Sequence, residues 1–326
     1  MASDIMVFVE YKDGNIRKVS LELLTKGQEL AKKDGATLYA VIIGFQIKEV
    51  AESARAYADK TIIVDNESLN EYRYDTYVSV LEQLVKKYQP SFIFSGSTVT
   101  GKDLFPRLAA RLNVSIVSDA VGIDFSDNRL KVKKPLYGGK VISWLSFKEG
   151  VSPLITFRPN SFSVEKLSLS GEIVEEKIDI FKDQKFNVLS VNKGGIEKVD
   201  LQEADFIICG GRGMKGPENF QVLEEIANIM GGRVGASRAV VDSKWREYDD
   251  QVGKSGKTVS PKLYIGCGVS GALHHTMGMD TSKIIVAVNK DPNAPIFNYA
   301  DYGIVDDLFN VLPLLKQELA KSKQDI

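Results

Sequence analysis

Short apolar runs alternate with amphipathic stretches along most of this chain, and no other feature limits its fold as tightly. Residues 5–10, 38–44, 61–65 and 92–97 are runs of strand length. Between them, residues 19–31 and 77–87 carry apolar side chains at helical spacing. This order predicts repeated β-α units on a parallel sheet. From residue 117 to 180 the rhythm changes. Segments 117–125, 130–147, 154–157 and 175–180 follow one another with short turns, which predicts an antiparallel or mixed extension finishing a first domain. The β-α rhythm restarts beyond 192–195, with strands expected at 206–209, 240–242, 263–265 and 284–289. Pro217 and Glu218 suit a helix start, Phe220, Leu223, Ile226 and Met230 form its apolar stripe, and Gly231-Gly232 stop it. The tail at 306–320 reads as helix with a break or new start at Pro313.

At 326 residues the chain exceeds one comfortable core. The expected architecture is α/β in two domains. Residues 1–192 form a Rossmann-like parallel sheet with a β-rich extension, and residues 193–326 a flavodoxin- or Rossmann-like domain. The paired glycines near 194–195 make a plausible hinge. A net charge of −1, with both signs mixed along the chain, argues against nucleic-acid or membrane-surface binding, since both need a concentrated positive field. The N-terminus lacks a basic region, and its apolar run is too short for a signal core or membrane span. Cys209 and Cys267 are the only cysteines and form no CxxC. These features lead us to expect the protein in the cytoplasm or another reducing compartment.

Glycines of the second half cluster behind predicted strands, where open α/β sheets bind ligands. Gly210-Gly211-Arg212-Gly213 would let a ligand approach the backbone while Arg212 grips a pyrophosphate, although a tight turn with a solvated arginine fits the motif as well. Gly266-Cys267-Gly268-Val269-Ser270-Gly271 is a formal GxGxxG after a strand and before an expected helix, whose N-terminus would favour a phosphate. Asp291, 20 residues beyond Gly271, stands where a ribose-binding acid is sought. Taken alone, the pair reads as an NAD site in a dehydrogenase. The motif falls late in the chain, however, and a dinucleotide other than NAD suits it better. Residues 251–258 end in GKT, yet the P-loop pattern needs glycine where Gln251 stands, and the segment leads into a strand. ATP chemistry is therefore not expected. Ser237-Arg238 set a hydroxyl beside a guanidinium, a pair that a surface turn would explain equally. His274 and His275 are adjacent, without metal-ligand spacing, so no metal site is expected.

In order, GGRGMKGPENF (210–220), VGASRAVVD (234–242), QVGKSGKTVSPKLYIGCGVSGALHH (251–275), IIVAVNKDPNAPIF (284–297) and ADYGIVDDLF (300–309) resemble the alpha subunits of the electron transfer flavoproteins. GKDLFPRLAARL (101–112), SDAVGI (118–123) and FRPNSF (157–162) extend the likeness into the first half. The resemblance implies an electron carrier with FAD in the C-terminal domain and a beta subunit packed on the cofactor-free N-terminal domain. It also implies acyl-CoA or other flavin dehydrogenases as donors, and a quinone oxidoreductase or a ferredoxin- or flavodoxin-type protein as acceptor. Some members simply relay electrons and others bifurcate them, a distinction that lies largely in the partner. Carried onto this sequence, Arg212 meets the pyrophosphate, and Ser237 and Arg238 lie at the FAD with Arg238 near the isoalloxazine. Val252, Gly253, Lys254 and Ser255 line the flavin, with the Ser255 hydroxyl near its redox-active nitrogen. Ser270, Gly271, Ala272, Leu273, His274 and His275 cover the pyrophosphate and the pyrimidine edge. Asn289 and Asp307 lie toward the adenosine, and Gln251, Gly268 and Leu308 complete the set. Ser255 stands where threonine is common and His274 where glutamine is common; both substitutes still form hydrogen bonds.

Overall fold

A run of aliphatic residues without polar alternation is satisfied only by burial on both faces, which is what a parallel sheet between two helix layers provides. The computed structural model describes residues 3–126, 129–148, 150–183, 188–191 and 200–322. It divides into two units, Met1–Gly195 and Ile196–Ile326. The expected hinge at 192–195 lies outside the described residues.

In the first unit β1 (Ile5–Phe8), α1 (Lys18–Asp34), β2 (Leu38–Gly44), α2 (Lys48–Ala54), β3 (Lys60–Asp65), α3 (Tyr74–Tyr88), β4 (Phe92–Gly96) and α4 (Val99–Leu112) keep the expected rhythm. Next come β5 (Ile116–Ala120), β6 (Gly122–Ser126), β7 (Arg129–Leu136), β8 (Val141–Ser146), β9 (Leu154–Phe157) and β10 (Glu172–Glu175). Seven strands form one parallel sheet in the order β10-β3-β2-β1-β4-β9-β5, a Rossmann-like arrangement at its centre. The β-rich region thus divides. Strands β6, β7 and β8 make the antiparallel sheet that was expected. In contrast, β5, β9 and β10 return to the parallel sheet, because β9, buried at all four residues, fits only as an inner strand between β4 and β5. Where strand order reverses beside β1, Glu10 is 6% exposed and its carboxylate accepts the Thr98 hydroxyl at 2.8 and 2.9 Å. The Glu10 amide donates to Ser20 Oγ at 2.8 Å. The chain's own polar groups fill this crevice.

The second unit contains β11 (Phe206–Gly210), α5 (Gln221–Met230), β12 (Arg233–Ala236), α6 (Arg238–Asp242), β13 (Leu263–Cys267), α7 (Leu273–Thr276), β14 (Ile284–Val288), β15 (Tyr302–Ile304) and α8 (Leu308–Ser322). Its five strands are parallel in the order β12-β11-β13-β14-β15, the flavodoxin-like order. Three expectations need correction. Residues 240–242 belong to the short helix α6, not to a strand. The strand beside β11 is β12, where a side chain on Gly235 would come within 2.9 Å of Val252, so a small residue displaces the β-branched run. Helix α8 runs through Pro313 without a break, and that ring lies on the exposed face. Finally, the helix behind the GxGxxG is a single turn, so its dipole contributes little there. Among the described residues no helix is long and apolar enough to cross a membrane.

Candidate cofactor site

In the second unit the strand order reverses between β11 and β13, and a cavity of about 500 Å³ opens at their carboxyl ends. Glycines build its floor. A side chain on Gly211 would meet the Gly268 carbonyl oxygen at 2.2 Å, and one on Gly213 would meet Gly268 Cα at 2.7 Å. The two loops therefore touch backbone to backbone. A side chain on Gly278 would likewise meet Gly253 Cα at 2.4 Å, and the Lys254 amide donates to the His274 carbonyl at 2.7 Å.

Twelve of the eighteen residues expected at the cofactor stand on the cavity wall, as counted from its lining. Arg212 is exposed there and has no acidic partner among the described residues. Ser237 precedes α6 without spending its hydroxyl on the helix cap. Arg238 also lines the cavity, 3.5 Å from Asp242 across one turn of α6, with both side chains about two-thirds exposed. A pair so wet contributes little, so the guanidinium is free to turn to a ligand. Val252, Gly253 and Ser255 form one wall. The Ser255 hydroxyl accepts the Gln251 side-chain amide at 3.1 Å, which leaves its own proton available to donate. Gly268, Ser270, Ala272, His274 and His275 also line the cavity, with His274 hydrogen-bonded to the 252–255 segment. The amides of Ser270, Gly271 and Ala272 find no protein acceptor among the described residues.

Asn289 lines the cavity but braces it as well, its amide donating to the Val269 carbonyl at 2.9 Å and its oxygen accepting the Asp291 amide at 3.0 Å. Six expected residues lie off the wall. Gln251 is buried behind Ser255, the Lys254 side chain is exposed, and Leu273 begins α7. Gly271 holds φ at +82° against the Ile296 amide, 2.2 Å from where a side chain would begin. Asp307 accepts the Phe309 amide at 3.0 Å and so caps α8, a bond that holds its carboxyl below the usual range. Leu308 packs into the core beside Gly268. Gly211 and Val269, which stand in the two glycine motifs, also line the wall, as do Asp242 and Ala294, which no local signal singles out, and Asp291, considered only for the NAD reading.

Inside the wall, burial pushes His275 down to about 4, against a weaker upward pull from the Val252 backbone, so the imidazole is neutral. Its Nε2 lies 2.7 Å from the Tyr264 hydroxyl. Among the described residues no group of three or more His, Cys, Asp or Glu is arranged to hold a metal.

These donors suit an anionic dinucleotide. Unsatisfied amides and a free guanidinium answer a pyrophosphate, and the backbone-lined pocket between Ser255 and His275 answers the polar edge of a planar ring. The fold and site define a dinucleotide-binding α/β domain of flavodoxin-like order. Residues 5–182 match the electron transfer flavoprotein domain, and residues 200–280 match the electron transfer flavoprotein FAD-binding domain. The chain is 40% identical over 325 residues to the electron transfer flavoprotein subunit alpha of Thermoanaerobacterium thermosaccharolyticum, covering 98% of each. It is 40% identical over 326 residues to the same subunit of Bacillus subtilis, again covering 98% of each. It is also 34% identical over 354 residues to the acryloyl-CoA reductase electron transfer subunit beta of Anaerotignum propionicum, covering 98% of this chain and 96% of that one. The chain belongs to the electron transfer flavoproteins, as an alpha subunit. Its cofactor is FAD and its function is electron transfer; the reading as an NAD-dependent dehydrogenase is not favoured.

Proposed function

We propose that this chain works as the alpha half of a heterodimer in the cytoplasm. Residues 1–192 pack against a beta subunit and residues 193–326 carry the FAD. Electrons enter from acyl-CoA or other flavin dehydrogenases and leave to a quinone oxidoreductase or a ferredoxin- or flavodoxin-type acceptor. The observation that carries this reading is the cavity at the β11/β13 reversal, whose lining brings together Arg212, unpaired amides, Ser255, Arg238 and His275. A relative named for acryloyl-CoA reductase supports a donor or acceptor enzyme of acyl-CoA type.

When bound, FAD supplies reversible one- and two-electron chemistry. The chain's residues do the rest. Arg212 and the amides of Ser270, Gly271 and Ala272 bind the pyrophosphate. The Ser255 hydroxyl, oriented by Gln251, donates to the flavin's redox-active nitrogen. Arg238 supplies a permanent positive charge beside the ring. His275 donates to the pyrimidine edge, and Asn289 holds the loop at the adenosine end.

Coexpression with the neighbouring beta subunit tests the assignment. The pair is expected to purify yellow, with FAD retained, and to bleach when a flavin dehydrogenase and its acyl-CoA substrate are added. Replacing Arg238 with Ala is expected to lower the flavin potential while FAD stays largely bound. A colourless pair, or one that no flavin dehydrogenase reduces, overturns the proposal.

A further inference from the structure

Tyr264 is the one polar side chain facing into the core from β13, and it is 0% exposed. Its hydroxyl touches Nε2 of His275 at 2.7 Å. Cys209 lies on the neighbouring strand, two residues beyond the register partner of Tyr264 and therefore on the same face, within the same buried cluster. Phenol and imidazole thus form a buried pair that ends at the cavity wall. His275 is 7% exposed, and its buried Nδ1 makes no hydrogen bond of ordinary geometry among the described residues, with only the weak pull of the Val252 backbone beside the ring. A polar atom left so at the edge of a cofactor cavity is a group awaiting its partner.

The protons can be arranged in two ways. In one, Nε2–H donates to the phenol oxygen and Nδ1 is left as a buried lone pair. In the other, the phenol donates to Nε2 and Nδ1 carries the proton. The first leaves the buried phenol proton without an acceptor among the described residues, whereas the second places it on an imidazole nitrogen, a good acceptor. Burial also keeps the phenol protonated and His275 neutral.

We propose that Tyr264 is a positioning residue for the cofactor site: by donating to Nε2 it fixes His275 as the Nδ1–H tautomer, a neutral donor for the carbonyl at the pyrimidine edge of the flavin. The proposal rests on the placement of FAD given above. A fixed N–H at that edge stabilises the negative charge that the ring gains on reduction, as preorganised donors do elsewhere. The opposite tautomer would present a lone pair to the same carbonyl. Tyr264 therefore acts through His275 and need not touch the cofactor.

The test uses the FAD-loaded heterodimer labelled with [15N]histidine, with His275→Asn to identify the His275 signals. The wild type is expected to show a pyrrole-like Nδ1 and a pyridine-like Nε2, and Tyr264→Phe a mixture of tautomers. At a fixed solution potential the ratio of reduced to oxidised flavin is expected to fall about fivefold in Tyr264→Phe, the worth of one neutral hydrogen bond. The same substitution made in the His275→Asn background is expected to change that ratio no further. A protonated Nε2 in the wild type overturns the proposal, as does a tautomer untouched by Tyr264→Phe or an equal fall in the His275→Asn background. A wild-type pair without flavin would sink the cofactor placement instead. The tautomer measurement needs no flavin and would still decide the role of Tyr264.

Discussion

His275 illustrates how burial alone sets the charge of a side chain. An exposed histidine titrates near 6.5, whereas this one is held at about 4 by desolvation. Its folded value lies below its unfolded value, so as pH falls the unfolded chain takes up the proton first. Stability is then unaffected above about pH 6.5, is lost steadily as pH falls toward 4, and levels off below that. The full shift corresponds to about 3 kcal/mol. Urea midpoints of the flavin-free protein are expected to decline across this window, and His275→Asn to flatten the decline. Glu176, held low chiefly by its hydrogen bond from Lys87, acts at lower pH and in the other unit, so the two effects separate. At this scale sequence reading was uneven. Arg212 stands out as an arginine within a glycine turn and Ser237-Arg238 as a hydroxyl beside a guanidinium, while Ser255 gains its role only from the resemblance. Tyr264 escaped because a tyrosine within an aliphatic strand reads as core, and only the fold reveals that His275 ends against it.

Loops, more than helices or strands, define the site, and glycine governs how closely they approach. Gly268 holds φ at +62°, and a Cβ there would sit 2.7 Å from Gly213 Cα. Gly231 has nearly the same φ, +64°, with nothing within 4 Å. The pair separates conformational strain from crowding. Gly231→Ala is expected to cost about 1 kcal/mol, and Gly268→Ala roughly 2–4 kcal/mol because backbone must also move. Denaturant midpoints at constant slope measure both. Equal losses at the two positions would remove the case for loop-to-loop packing. Most elements were legible from periodicity, since helical stripes and aliphatic runs report burial directly. What was not legible depends on partners distant in sequence. Nothing local says that residues 154–157 enter the parallel sheet, or that Arg233–Ala236 and not the apolar run after it pairs with β11. Asp307, which only the resemblance puts toward the adenosine, caps α8 with one carboxylate oxygen, a role its place before the helix allows but does not announce.

Across the whole molecule the two sheets treat the same topological opportunity differently. At the first reversal of strand order Glu10, Thr98 and Ser20 satisfy one another. At the second, donors are left for a ligand. The second unit also holds both cysteines, 0% exposed on the adjacent strands β11 and β13, with burial pushing Cys209 up to about 12. In the folded state neither thiol is accessible or ionised, so a thiol reagent can react only when this sheet opens. FAD binds the closed form, so a hundredfold excess over its dissociation constant is expected to slow labelling about a hundredfold. Labelling indifferent to FAD would mean that the cofactor is not held against these strands. The two sulfur atoms therefore act as an internal clock for one half of the protein. Their reaction rate counts openings of the flavin half and ignores those of the half that contains no cysteine.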